Sequence, residues 1–165
     1  MKNTLSRFLV GTLLLMMGIV FTGCPYSADF GLDARPAIKI NKQLLGQYET
    51  KDRPGDTYTV LKKDKYLYKI EKRSSFGSSS ETYNAYLSNL EGVLFLNIYE
   101  DESSNPTYYF YKLNISSGGN TVTLASVTND ITEGFSSSEE LKKFFLKNMN
   151  LSTFYDKDEE VYFRK

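Results

Sequence analysis

Residues 82–89 read Thr82-Tyr83-Asn84-Ala85-Tyr86-Leu87-Ser88-Asn89, and residues 93–99 read Val93-Leu94-Phe95-Leu96-Asn97-Ile98-Tyr99. Tyr83, Ala85 and Leu87 alternate with more polar neighbours, the period-two pattern of a half-buried strand. The second run is apolar on both faces, with Val93, Phe95 and Tyr99 opposing Leu94, Leu96 and Ile98. A strand of that kind needs a core on one side and a cover on the other. These two runs point to a β-sheet with something packed over its outer face.

The same period extends in both directions. Upstream, Leu44–Thr50, Thr57–Lys62 and Tyr66–Arg73 are expected strands. Tyr58 and Val60 share a face of the second, and Tyr66, Tyr68 and Ile70 share a face of the third. Asp52-Arg53-Pro54-Gly55-Asp56 is a turn, because Pro-Gly presets the bend. Lys63-Asp64-Lys65 is another, and Ser74–Ser80 is a Ser/Gly-rich hairpin loop. Downstream, Thr107–Ile115 places Tyr109, Tyr111, Leu113 and Ile115 on one face. Gly118-Gly119-Asn120 then signals a hairpin into Thr121–Thr128. Val161–Arg164 is the eighth strand.

One segment breaks the period. Leu141, Phe144, Phe145 and Met149 fall on one helical stripe. Ser137 precedes them as N-cap with Glu140 at the capping-box spacing. Glu139 and Glu140 in the first turn and Lys147 in the last match the helix dipole. The expected fold is mainly β: an antiparallel up-and-down meander or barrel of about eight strands, with one α-helix before the last. Closure into a barrel removes unpaired edges. The helix stripe is the natural cover for the outer face of 93–99.

Composition removes several chemistries. The 165 residues include 20 Lys+Arg, 20 Asp+Glu, no His, no Trp and one Cys. Without His there is no imidazole base, nucleophile partner or metal ligand. One Cys excludes an intrachain disulfide and a thiolate zinc cage. Balanced charge argues against nucleic-acid binding. No Ser-x-x-Lys is placed for catalysis, since Ser138 and Lys142 are four apart on a helix face. Ser116-Ser117-Gly118-Gly119 lacks the Lys and helix of a phosphate loop. The acidic run Asp156-Lys157-Asp158-Glu159-Glu160 has Val161 where a calcium loop needs Gly, and reads as a solvated turn. Glu100-Asp101-Glu102 reads the same way. No catalytic residue, metal ligand or cofactor site is marked out.

The N-terminus carries the most specific signal. Lys2 and Arg7 precede an apolar run, Phe8–Val20, of 13 residues, followed by Phe21-Thr22-Gly23-Cys24. A spanning helix needs about 20 residues, so the layout is that of a secretory signal. Phe21-Thr22-Gly23-Cys24 resembles the lipobox of bacterial lipoprotein precursors. The resemblance implies cleavage after Gly23 and lipid on the Cys24 sulfur and new amino group. Phe21 departs from the commoner Leu. Two or more acyl chains anchor stably where one is marginal. Without Lys2 and Arg7, 18 basic residues face 20 acidic ones, a net charge of −2. Lipid rather than electrostatics would therefore hold the protein to a membrane of the bacterial envelope. Pro25 is not the Asp associated with inner-membrane retention, which favours the outer membrane. Residues 1–23 are the expected signal, 24–41 the lipidated Cys and a tether, and 42–165 a single β domain. Ile38 and Ile40 alternate and would begin an edge strand.

Leu45-Gly46-Gln47-Tyr48 resembles the opening of lipocalin-like barrels, where Gly-x-Trp begins the first strand. The resemblance implies that Tyr48, in place of Trp, packs against an Arg from the last strand, here Arg164. The later lipocalin motifs are not evident, and the helix precedes the last strand rather than following the barrel.

The Tyr-rich strands supply the candidate site residues: Tyr58, Tyr66, Tyr68, Tyr83, Tyr109 and Tyr111, with Tyr86, Tyr99 and Tyr108 beside them. Two non-enzymatic roles follow. A carrier of a small apolar ligand predicts a cavity of about 300 Å³ or more lined by inward rings. A lipoprotein that docks another envelope protein predicts an exposed aromatic patch above about 400 Å². The anchor is tested independently of either role. Cys24→Ser is expected to abolish lipid labelling and either release the protein from membranes or leave an uncleaved precursor. Unchanged labelling with palmitate would contradict it.

Overall fold

The computed structural model describes residues 25–75, 80–100 and 105–165. The expected signal at 1–23, the lipobox at 21–24 and residues 76–79 and 101–104 lie outside the described residues. Among the described residues nine strands form: β1 (Ser27–Ala28), β2 (Gly46–Thr50), β3 (Thr57–Lys62), β4 (Tyr68–Arg73), β5 (Ser80–Leu90), β6 (Val93–Glu100), β7 (Tyr108–Ile115), β8 (Thr121–Ser126) and β9 (Glu160–Arg164). Strands β2 to β9 pair antiparallel in chain order, and β9 pairs back onto β2. The expected eight-stranded up-and-down sheet is thus a closed barrel. Helix α1 (Ser138–Asn148) lies between β8 and β9, as its stripe requires.

The barrel separates two apolar clusters because successive side chains in a strand point to opposite faces. Tyr48, Tyr58, Tyr68, Ala85, Leu87, Leu96, Leu113, Val122 and Leu124 point inward. Leu90, Phe95, Phe110 and Val127 point outward and meet Leu141, Phe145 and Met149 of α1. Phe145 packs edge-on against Phe95, Phe110 and Phe154, with centroids 5.4, 5.2 and 5.0 Å away. The doubly apolar strand β6 is explained by this arrangement. The capping signal at Ser137 is real, since its hydroxyl accepts from Glu140 N at 3.3 Å. The Glu140 carboxylate reaches one residue further back, to Ser136 N at 2.9 Å.

Residues 25–33 do not form a free tether. β1 pairs with β7, Ser27 opposite Tyr109 and Ala28 opposite Tyr108. Tyr26 and Leu32 are buried in the outer cluster. The anchor for Leu32 is a buried polar clamp on β6. Asn97 Oδ1 accepts from Leu32 N at 2.9 Å, and Asn97 Nδ2 donates to Ser88 Oγ at 2.9 Å. The Tyr86 hydroxyl donates to Asp33 O at 3.0 Å, and Lys142 of α1 pairs with Asp33 at 2.5 Å. Gly31 is required here, because any Cβ would collide with the Tyr86 hydroxyl. Composition made this segment look like a linker; Asp33 and the backbone of Leu32 find specific partners instead.

The next stretch closes one end of the barrel. Ile38 and Ile40 form no strand but pack over the inner cluster. Asn41 caps a single 3-10 turn, Lys42–Leu44, which shortens the expected first strand to begin at Gly46. Tyr48 and Arg164 are register partners across the β2–β9 seam. The guanidinium lies 5.1 Å from the Tyr48 ring centroid. It also donates to the Tyr48 hydroxyl at 2.8 Å, Leu45 O at 2.7 Å, Gly119 O at 3.2 Å and Gln43 O. Gly46 has φ +148°, and a Cβ there would meet the guanidinium, so glycine is needed on both counts.

Arg164→Ala is expected to lower the unfolding free energy by about 1–3 kcal/mol, from lost charged hydrogen bonds and the ring contact. Arg164→Lys should recover only part, because it keeps the charge but not the fork. Urea denaturation measures both, and an unchanged midpoint for the Ala variant would contradict the role given to the seam.

Candidate functional site

The opposite end of the barrel is open, and a cavity of about 420 Å³ runs inward from it. Leu44, Tyr48 and Tyr68 close its floor, and Val60, Ile70, Leu96, Ile98, Leu113, Val122 and Leu124 line its wall. Tyr58, Tyr111 and Tyr162 also face it. Arg53, Lys72, Tyr83, Glu100, Tyr109 and Glu160 bring polar and charged groups towards the mouth, and Pro25 lines the cavity with them. The period-two pattern makes this layout: Tyr68, Ile70 and Lys72 are successive inward positions of β4, as are Leu96, Ile98 and Glu100 of β6.

Five of the six aromatics expected at the site are brought together: Tyr58, Tyr68, Tyr83, Tyr109 and Tyr111. Tyr66 is not among the lining residues. The Asp64 carboxylate accepts from the N–H groups of Tyr66 and Leu67 at 2.6 and 2.8 Å. That turn holds Tyr66 outside the ladder, and β4 starts two residues later than expected. Tyr162 was missed although its signal was present, since it shares the strand face of Arg164, which was placed inward. Glu160 was read as part of a solvated turn; it instead lines the cavity and accepts from the Tyr162 hydroxyl.

The polar groups divide by depth. At the floor, the Tyr68 hydroxyl accepts from Asn41 N at 2.5 Å and Tyr48 donates to Leu44 O at 3.1 Å. Nearer the mouth, Glu81 accepts from the Tyr83 hydroxyl at 2.7 Å and pairs with Lys72 at 2.9 Å. These two contacts hold its carboxyl below the usual range. Arg53 stands 3.9 Å from Glu160. Between these layers, Tyr58 meets Tyr162 edge-on at 5.1 Å, and its buried hydroxyl faces the Arg53 guanidinium, which leaves its own O–H without an acceptor among the described residues. A buried O–H without an acceptor costs free energy that a ligand acceptor would return.

The outer aromatics of β6 and β7 are covered in part by the chain itself. Phe110 is buried beneath α1, and Tyr108 packs against Tyr86 and Tyr99 with centroids 6.4 and 5.0 Å apart. The large apolar residues exposed among the described residues are Leu61, Leu151 and Phe163. Among the described residues no cluster of three or more acidic or thiol side chains is arranged to hold a metal ion. Lys142 is engaged with Asp33, which accounts for it without catalysis. No family model matches the chain, and neither does any curated relative or solved structure.

Burial sets an alkaline limit on this site. It pushes the phenols of Tyr58, Tyr111 and Tyr162 up, and that of Tyr68 up to about 12. A folded-state pKa above the unfolded value contributes stability that is complete below pH about 10 and lost as pH rises through the folded value. Stability is therefore expected to fall between pH about 10 and 12. Tyr68→Phe should flatten that fall. Urea midpoints against pH, with tyrosinate absorbance in parallel, measure it; ionisation of every tyrosine near pH 10 in the folded chain would contradict it.

Proposed function

We propose that this chain is a lipid-anchored lipoprotein of the bacterial envelope, without enzymatic activity, whose barrel carries a small apolar ligand in the manner of a lipocalin. The observation that supports the carrier role is the cavity of about 420 Å³ open at one end of the barrel. Its size lies within the range of small-molecule pockets, and its wall is mostly aliphatic and aromatic. The hydroxyls of Tyr58, Tyr111 and Tyr162 provide the few polar groups that orient a ligand. The seam between Tyr48 and Arg164 matches what the lipocalin resemblance implied.

The lipoprotein role rests on the sequence around Cys24. Among the described residues no helix is long and apolar enough to cross a membrane. Attachment by lipid on Cys24 then leaves the barrel at the membrane surface. The docking alternative receives less support, because the outer aromatic face lies under α1 and residues 26–33.

Mass spectrometry of an organic extract of the purified full chain is expected to find about one apolar molecule per protein. Ile98→Trp, which narrows the cavity, should lower that occupancy about ten-fold while circular dichroism stays unchanged. Equal occupancy in a folded Ile98→Trp variant would exclude the cavity as the binding site.

A further inference from the structure

Pro25 is the first described residue, and it lines the cavity. Tyr26 turns the other way, stacking against Phe110 with centroids 5.9 Å apart, and donates its N–H to Val127 O at 2.9 Å. Ser27 and Ala28 continue in register with Tyr109 and Tyr108, at the start of β7. The chain is thus fixed to the open end of the barrel from Pro25 onward. Cys24 is joined to Pro25 by one peptide bond, a Cα–Cα step of about 3.8 Å. A free tether of residues 25–41 would have allowed any orientation over about 55–60 Å. The packed segment instead begins one residue after the attachment point.

We infer that the lipid on Cys24 holds the mouth of the barrel against the bilayer, and that the cavity takes up an acyl chain of a membrane lipid directly from that surface. This rests on the lipoprotein reading. The end remote from the mouth is sealed by the turn at Lys42–Leu44 and by Arg164. Exchange must then pass through the end that carries the anchor. The ligand chemistry agrees with that route. The aliphatic wall suits a hydrocarbon chain, and the Tyr58 O–H, which lacks an acceptor among the described residues, offers a donor for its ester carbonyl. Arg53 and Lys72 stand with Glu100 and Glu160 among the cavity residues, so the mouth carries charges of both signs, as a zwitterionic head group does. The same acyl-ester chemistry could come from the bilayer or from the lipid on Cys24 itself.

The test uses the mature lipidated protein in phosphatidylcholine vesicles whose acyl chains carry bromine, a contact quencher. The chain has no Trp, so one introduced Trp is an unambiguous reporter. Lys51→Trp places it in the turn after β2 beside the mouth, and Lys65→Trp in the turn between β3 and β4 at the sealed end. Quenching is expected to be several-fold stronger for Lys51→Trp. Equal or reversed quenching in protein that floats with the vesicles overturns the orientation. Failure of both variants to float overturns the lipoprotein reading instead. Native mass spectrometry of the wild-type protein released from the same vesicles reads the source of the chain. Retention of one brominated phosphatidylcholine is the expected result. Retention of none, as when the Cys24 chain fills its own barrel, overturns uptake from the bilayer.

Discussion

Closure of the sheet between β2 and β9 is the constraint on which the rest of the molecule depends. Open, this sheet would present two unpaired edges and an apolar face to water. Closed, every barrel strand has two neighbours and the inward rings share one interior. Arg164 sits at that junction and serves the seam and the end cap together. Its guanidinium bonds Tyr48 across the seam, and carbonyls of the Lys42–Leu44 cap and the β7–β8 turn. A lysine could supply the charge but not these simultaneous directions. The sealed floor of the cavity follows from this one side chain and the short chain segment it grips.

The wall of the barrel is two-sided, and its two faces do different work. The outer face is a dry aromatic contact with α1, tightly interdigitated around Phe145. The inner face has large rings too, but they leave a space between them. Interiors of folded proteins are normally packed like organic crystals. A barrel that packs its outside so closely and leaves its inside hollow concentrates its close packing in one layer and its empty space in the other. The Asn97 clamp belongs to the first layer. It fixes the N-terminal segment through a buried amide that an apolar residue could not replace without leaving Leu32 N unpaired.

Much of this was legible in the residue pattern, and the failures have physical causes. Period two located the eight barrel strands, and the period-3.6 stripe with Ser137 located α1. Tyr48 and Arg164 were placed together from a short motif, and the structure brings them into contact. Five inward tyrosines could be named because alternation fixes the side once a strand is known. Tyr66 failed because Asp64 offers the backbone a competing local hydrogen bond, which ends the ladder early. Residues 25–33 failed because their order comes from tertiary partners 53 to 109 residues away, such as Tyr86 and Lys142. The charges lining the cavity were hidden because Arg53 sits in a turn and Glu160 closes an acidic run. Local composition gives both the look of solvated surface.

The seam has a kinetic side as well. Tyr48 and Arg164 are 116 residues apart, yet they must meet before the barrel has an inside. The loop entropy of that encounter is charged before most of the inner contacts exist to offset it. Hairpins β3–β4 and β5–β6 can form early, since their partners are close in sequence. Until β9 arrives, β2 and β8 are exposed edges on an apolar sheet, the kind of surface that aggregates. Slow, all-or-none closure from the chain's far end is therefore built into this topology. The nascent protein spends that interval as an open sheet with its cavity not yet in existence.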